Sequence, residues 1–349
     1  MKKAGRLAAA VFAAMLLVTG CGAPAEKKAV ETTPEQSSKI EQKEEAKNLK
    51  DAFKKDFKVG VAINPYQLKD EETKKIILEN FNSITMENGM KPEAILDQRA
   101  SENSKDGMPA INEENLAECL SLAKDNGLVL RGHCLVWHNQ TPEWFFCEKY
   151  DAGNAKVNKE TMKKRMESYI KKVLSFCQEK YPGVVYAWDV VNEACDDGGG
   201  YRTSSLWYEI YGDESYIEDA FTFARKYADK DVKLFYNDYN EYMPSKVSTI
   251  AELVKKLYDK KLIDGVGFQS HWDMNYPDTG MISDAMQKYS EIGDLEIQFT
   301  EVDMHNTDDS EEGLKKLADR YKEFFEMIAK ADREGKANVT SVTFWGLSD

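Results

Sequence analysis

The chain is poor in the residues that build covalent or metal-bound frameworks. It has six cysteines in 349 residues; Cys21 stands alone near the start, and the other five are Cys119, Cys134, Cys147, Cys177 and Cys195. Five is an odd set, and none forms a Cys-x-x-Cys pair, which argues against a disulfide scaffold and a structural zinc site but leaves a single disulfide open. Only four histidines occur, and His133 and His138 lack the i, i+4 spacing of a helical metal pair, so no metal and no cofactor are expected. A glycine-rich phosphate loop is missing as well: the first apolar run continues into "GVAINPYQ". Positive charge is scarce, with 47 Lys and Arg against 61 Asp and Glu, a net charge of −14. Such an acidic chain is a poor match for a phosphate backbone, so a nucleic-acid partner is not expected. The apolar run Leu7–Val18 is too short to cross a bilayer stably as a helix. There is no short internal repeat.

What is present begins with a leader. Lys2, Lys3 and Arg6 precede the run Leu7–Val18, the pattern of a secretion signal. "LVTGC" resembles the lipobox of bacterial lipoproteins, which implies a lipidated Cys21 after removal of the residues before it; cleavage as an ordinary signal peptide is the alternative. Residues 22–48 hold five Lys and six Glu and almost no bulky apolar side chain, as expected of a disordered charged tether. As a flexible coil it reaches roughly 25–30 Å. The expected location is therefore extracytoplasmic, with membrane contact only through the lipid anchor, and the chain is expected to be a monomer. The +3 of the leader and the −1 of the tether leave −16 on residues 49–349.

From residue 49 onward, apolar runs alternate with amphipathic helical patterns. The strand candidates are 57–63, 82–87, 128–135, 184–193, 232–238, 265–271, 294–303 and 338–346. Most are too continuously apolar for a sheet with one wet face, as expected of parallel strands buried on both sides. Between them, Leu116, Cys119, Leu120 and Ala123 share one helix face, and Met162, Met166, Tyr169, Val173 and Cys177 another. The aromatic face Tyr321, Phe324 and Phe325 reads as core, and Trp188 and Trp207 as packing residues. This alternation predicts an α/β fold, a (β/α)8 TIM barrel forming one catalytic domain over residues 49–349. A doubly wound sheet is the runner-up, weakened by the missing phosphate loop.

In such a barrel chemistry gathers where strands end. All four histidines (133, 138, 271 and 305) lie at or just beyond strand ends, as do Glu87, Asn192, Glu193, Gln269, Glu301, Asp303 and Trp345. In "IQFTEVDMH", Phe299, Glu301 and Asp303 share a parity, which predicts that all three face one side. Gln269 and His271 share one in the preceding strand, bringing His271 toward Glu301 and Asp303. Glu193 lies on the fourth strand, roughly across the barrel. Two carboxylates facing each other over a barrel mouth are the working pair of glycoside hydrolysis. Asp189 is expected to support the network, His138 and His305 to lie behind the site or exposed, and the "DDGGG" of 196–200 to be a flexible loop rather than a calcium site.

The segment from about Asn48 to Asp349 resembles glycoside hydrolase family ten, the endo-β-1,4-xylanases. The resemblance rests on "ITMENGMKPE", "LRGHCLVWHNQTPEW", "YAWDVVNEA", "LFYNDYN", "GFQSHWD", "FTEVDMH" and "TFWGLSD", in order. It implies a retaining double displacement on xylan, with Glu193 as acid/base and Glu301 as nucleophile. Asn192 would bind the 2-hydroxyl of the sugar under attack, and His271, held by Asp303, would orient Glu301. Glu87, Asn88, Lys91, His133, Trp137 and Gln140 would bind sugars on the non-reducing side, with Tyr239, Gln269 and Trp345 completing the walls. Two features depart from the family. Pro92 stands after Lys91 where the family has Trp. The chain also reaches "FWGLSD" without the eighth barrel helix, so the last helix is expected to be missing. The alternatives are a non-catalytic xylan-binding surface lipoprotein and a related β-1,4-glucan hydrolase.

Overall fold

The computed structural model describes residues 47–347; Cys21 and the tether up to residue 46 lie outside the described residues. Among the described residues, eight barrel strands alternate with seven helices of ten residues or more. The strands are β1 (Lys58–Ile63), β2 (Ser83–Met86), β3 (Val129–Trp137), β4 (Val185–Asn192), β5 (Lys233–Asp238), β6 (Gly265–Phe268), β7 (Glu296–His305) and β8 (Asn338–Phe344). The helices are α1 (Glu71–Asn80), α2 (Glu113–Asp125), α3 (Lys159–Lys180), α4 (Ser215–Tyr227), α5 (Pro244–Asp259), α6 (Thr279–Ser290) and α7 (Glu311–Arg333). Every neighbouring pair of barrel strands is parallel, and β8 pairs with both β7 and β1, so the sheet closes on itself. This is the expected (β/α)8 barrel. The expectation about an eighth helix concerns chain beyond β8 and lies outside the described residues, which end at Leu347.

The helices start where the sequence offers caps. The side chains of Asp70, Asn112, Asn158, Asp278 and Ser310 each accept the amide three residues on, at the starts of α1, α2, α3, α6 and α7. Their apolar stripes then cover the outer faces of the strands. Met162, Met166, Tyr169, Val173 and Cys177 of α3 are buried, as are Val59, Val61 and Ile63 of β1. The five cysteines from 119 to 195 are buried free thiols.

The strands are buried on both faces, but the two faces differ. Outside is aliphatic and aromatic; inside is polar. Arg131 of β3 fills the lumen, with its guanidinium donating to Asp189 of β4 and Gln298 of β7 and lying 4.5 Å from the Phe235 ring centroid of β5. Glycine makes the room: a Cβ on Gly267 would come within 2.2 Å of Asn237 Oδ1 and 3.1 Å of the Arg131 guanidinium.

The parity expected along β7 is not what forms. Phe299 packs outward against Phe268, Trp272 and Phe324 of α7, while Thr300 and Glu301 face inward to Asn237. The cause is a register shift between Phe299 and Val302 against β8, a bulge that re-aims the strand before its end. Similar shifts occur in β3 after His133 and in β4 between Asp189 and Val191. The sixth strand is also shorter than expected: it stops at Phe268, and Ser270 at φ 65° precedes a separate short strand, His271–Asp273, that pairs with β7.

Candidate active site

The ends of β4, β5, β6 and β7 bring the expected residues together at one mouth. Asn192 is the last residue of β4, and Glu193 follows in the left-handed region at φ 55°. That turn explains how two adjacent residues both face the cleft, where a regular strand would send one away. The Glu193 side chain is 13% exposed. Its Oε1 accepts from Gln269 Nε2 at 2.9 Å and Asn192 Nδ2 at 3.2 Å, and its Oε2 accepts from the Trp137 indole at 2.9 Å.

Across the mouth, Glu301 is 4% exposed. Its Oε1 accepts from Asn237 Nδ2 at 2.9 Å, and its Oε2 lies 3.1 Å from His271 Nε2. Burial alone would raise its pKa, but the hydrogen bond from His271 and the charges of His133 and His271 outweigh it and hold the carboxyl below its usual range. His271 Nδ1 lies 2.8 Å from Asp303 Oδ2. Burial opposes its charge, yet the bonds to Asp303 and Glu301 prevail and push the imidazole up to about 10. At neutral pH the ring is therefore an imidazolium donating to both carboxylates. The two glutamates thus sit in unlike surroundings, Glu193 among neutral donors and Glu301 against a cation.

Asn237, absent from the expected set, joins the two halves. Its Nδ2 donates to Glu301 Oε1 and Asn192 Oδ1, both at 2.9 Å, while its Oδ1 accepts from Thr300. Its signal in the sequence was its place in "YNDYN", at the end of β5 and two residues before Tyr239.

The wall beyond β2 and β3 is a mesh of amides and charges. Lys91 Nζ donates to Asn88 Oδ1 (3.1 Å) and Gln140 Oε1 (2.8 Å), and lies 5.1 Å from the Trp137 ring centroid. Pro92 takes the first position of a short helix, Pro92–Ile95, and leaves Lys91 in the site. Glu87 accepts from Asn64 at 2.6 Å and from Asn88 at 3.3 Å; Asn64, like Glu93 bonded to Gln140, was not anticipated. His133 is bonded to Asp189 at 3.0 Å, and the Trp345 ring lies edge-on to both His133 and His271. Asp189 therefore holds Arg131 and His133 together, the supporting role expected of it.

On the opposite wall, the Tyr239 hydroxyl accepts from Arg202 at 2.9 Å, and Lys246 Nζ lies 3.5 Å from the Tyr239 ring centroid. Lys246 is fully buried and bridges Asp238 and Asp197, each at 2.9 Å. The "DDGGG" stretch, expected to be a flexible loop, forms a hydrogen-bonded turn. Asp197 meets Lys246 at the base of α5, Gly200 N donates to Thr249, and Asp196 N bonds Gly200 O. Of the remaining histidines, His305 is exposed, and His138 Nδ1 lies 4.0 Å from Glu193 Oε2, with its pKa lowered by burial and by Arg202. Trp188 and Trp207 are buried packing residues.

Residues 48–349 match the family model described as glycosyl hydrolase family 10. Over 306 residues the chain is 49% identical to endo-1,4-beta-xylanase B of Butyrivibrio fibrisolvens, covering 86% of this chain and 48% of that protein. It is 46% identical over 272 residues to a putative endo-1,4-beta-xylanase of Caldicellulosiruptor saccharolyticus, covering 74% and 86%. Among solved structures, the N-terminal modules of a Clostridium thermocellum endo-1,4-beta-D-xylanase complexed with xylohexaose superpose with a TM-score of 0.78 at 39% identity, over 85% of this chain and 61% of that one. The chain thus spans about half the length of the Butyrivibrio relative.

Proposed function

The chain belongs to glycosyl hydrolase family 10, and from that premise we propose that it cleaves internal β-1,4-xylosidic bonds of xylan by a retaining double displacement. The observation that carries the proposal is the contrast between two carboxyls at one mouth, Glu301 kept anionic by His271 and Glu193 set among neutral donors. Glycoside hydrolysis needs such an asymmetric pair, one group to move a proton and one carboxylate to attack or to activate water, and membership of the family supports the retaining course.

Glu301 Oε2 or Oε1 attacks the anomeric carbon while Glu193 gives its proton to the leaving oxygen. A covalent glycosyl ester forms, and the negative charge of Glu301 is lost. Glu193, now ionised, takes a proton from water, which displaces the ester and restores both groups. In this reading Asn192 binds the 2-hydroxyl of the sugar under attack, which its bonds from Asn237 and Gln269 support by holding the side chain in one orientation. Glu87, Asn88, Lys91 and Gln140 already form one hydrogen-bonded mesh, the type of surface that recognises neutral sugar hydroxyls. Tyr239 and Trp345 supply ring faces, and His133 and Trp137 close the side of β3.

Reducing-sugar release from xylan and from cellulose tests the proposal. Wild type is expected to release sugar from xylan, and Glu301→Ala to release essentially none. Comparable release from cellulose would favour a β-1,4-glucanase. Wild type and variant equally inert while both bind xylan would leave a binding protein. Proton NMR of the first product is expected to show the β-anomer. We also propose that the chain acts as a monomer outside the cytoplasm, held to the membrane through a lipid on Cys21. Labelled palmitate is expected to enter wild type and not Cys21→Ala, which should be released from the membrane; label in both would exclude this anchor.

A further inference from the structure

The hydrogen bonds around Glu193 raise a question that its side-chain partners do not answer. Trp137, Gln269 and Asn192 all donate to its carboxylate. They suit the ionised group. In the acid form the proton takes the lone pair of Oε2 that Trp137 leaves open, the charge is gone, and all three bonds weaken from charge-assisted to neutral ones. What directs the carboxyl in that form has to act independently of its protonation state, and the backbone is where to look.

The backbone of Glu193 is in the left-handed region, which for a residue with a Cβ persists only when neighbours fix it. Each polar group of the turn is fixed. Glu193 N donates to Asn237 O at 2.9 Å, and the amides of Ala194 and Cys195 both donate to the Tyr236 hydroxyl at 3.0 Å. The Glu193 carbonyl accepts from Arg202 Nε at 3.0 Å, and the same guanidinium reaches the Tyr239 hydroxyl at 2.9 Å. Arg202 is itself anchored, because the chain returns through the Asp196–Gly200 turn and Arg202 N donates to Ala194 O at 2.8 Å. The loop after β4 therefore folds back so that its returning limb clamps the residue it left from.

We propose that Arg202 is a positioning residue for acid catalysis: by holding the Glu193 carbonyl against Tyr239 it sets the direction of the Glu193 carboxyl in its protonated form. The proposal rests on the reading of Glu193 as acid/base. Arg202 touches neither carboxyl oxygen, and its bond to the peptide carbonyl is the same in both halves of the double displacement. Tyr239 gives the clamp a second purpose. The wall facing the departing sugar and the residue that protonates its oxygen are tied to one guanidinium, so their spacing is set together.

The test exploits the fact that a good leaving group needs no proton. kcat/KM, which reports the first displacement, is measured for phenyl and for 2,4-dinitrophenyl β-xylobioside with wild type, Arg202→Met and Arg202→Lys. Both leaving groups occupy the same side of the cleft, so loss of contacts there lowers both alike. The methionine variant is expected to lose roughly 10²-fold on the phenyl substrate, the order of one acid–base contribution, and nothing measurable on the dinitrophenyl substrate. The lysine variant, with a charge but no fork, is expected to fall between wild type and methionine on the phenyl substrate alone. An equal loss on both substrates, or no loss on either, overturns the positioning role. If the methionine variant does not fold, the lysine variant decides by the same ratio. A wild type inert on both substrates would instead refute the enzymatic reading itself.

Discussion

Asn237 shows how much one amide can organise. Its Nδ2 is shared between Glu301 and Asn192, and its Oδ1 is held by Thr300, so it has no freedom to flip. Asn237→Ala is expected to lower kcat roughly 10²- to 10³-fold with a smaller change in KM, the scale of removing one preorganised donor. Steady-state kinetics on xylohexaose checks this, and near-normal kcat would show that His271 alone suffices to orient Glu301. His271 carries the second prediction at this scale. Burial raises the pKa of Glu301, and the His271 hydrogen bond and charge reverse it. With His271→Gln the burial effect prevails, so the acid limb of kcat/KM should move to higher pH. An unmoved limb would assign the depressed pKa to another group. Glu193, Glu301 and His271 were legible because their residue types at strand ends have few structural uses. Asn237 was missed because asparagine at a strand end is also an ordinary turn former.

Elements were legible to the extent that their apolar patterns were unbroken. The strands emerged within a few residues of their expected limits because both faces are buried, whereas the parity rule failed where β7 bulges between Phe299 and Val302. Glu301 faces the site because of that bulge, and no spacing rule shows where a strand will slip. The segment joining β5 to α5 holds a further group that the pattern hides. Glu241 is fully buried, neither carboxyl oxygen has a partner among the described residues, and burial pushes its pKa up to about 8 from 4.5. The folded state thus keeps a proton on Glu241 that the unfolded chain releases near pH 4.5. Stability lost through this group accumulates as pH rises from about 4.5 to about 8, at up to about 1.4 kcal/mol per pH unit, and is constant above and below that window. Glu241→Gln, isosteric and uncharged, should match wild type at pH 4 and exceed it increasingly up to pH 8 in urea titrations. A constant difference across this range would show that the carboxyl titrates normally.

At the scale of the whole molecule, the number and order of strands gave the barrel, but not its polar lumen. Arg131 lies inside only because Gly267 leaves space and Asp189 supplies an opposite charge, a three-strand coincidence that no single segment displays. Net charge, by contrast, is readable from composition and is a property of the whole surface. Residues 49–349 carry −16, while the sugars proposed as substrate are neutral. That charge is indifferent to an unbranched xylan and repels one bearing glucuronate branches. The repulsion is long-range at low salt and is screened over a Debye length of about 10 Å at 0.1 M. KM for glucuronoxylan should therefore fall as salt is raised from about 0.01 M to about 0.15 M, while KM for a neutral arabinoxylan stays level. The control matters because salt also changes polymer solubility, which would act on both. Parallel responses by the two polymers would mean that the field of the domain does not reach the substrate. A KM for glucuronoxylan that rose with salt would point instead to a local cation engaging the branch, with Lys91 and Arg202 the residues on the cleft walls to replace first.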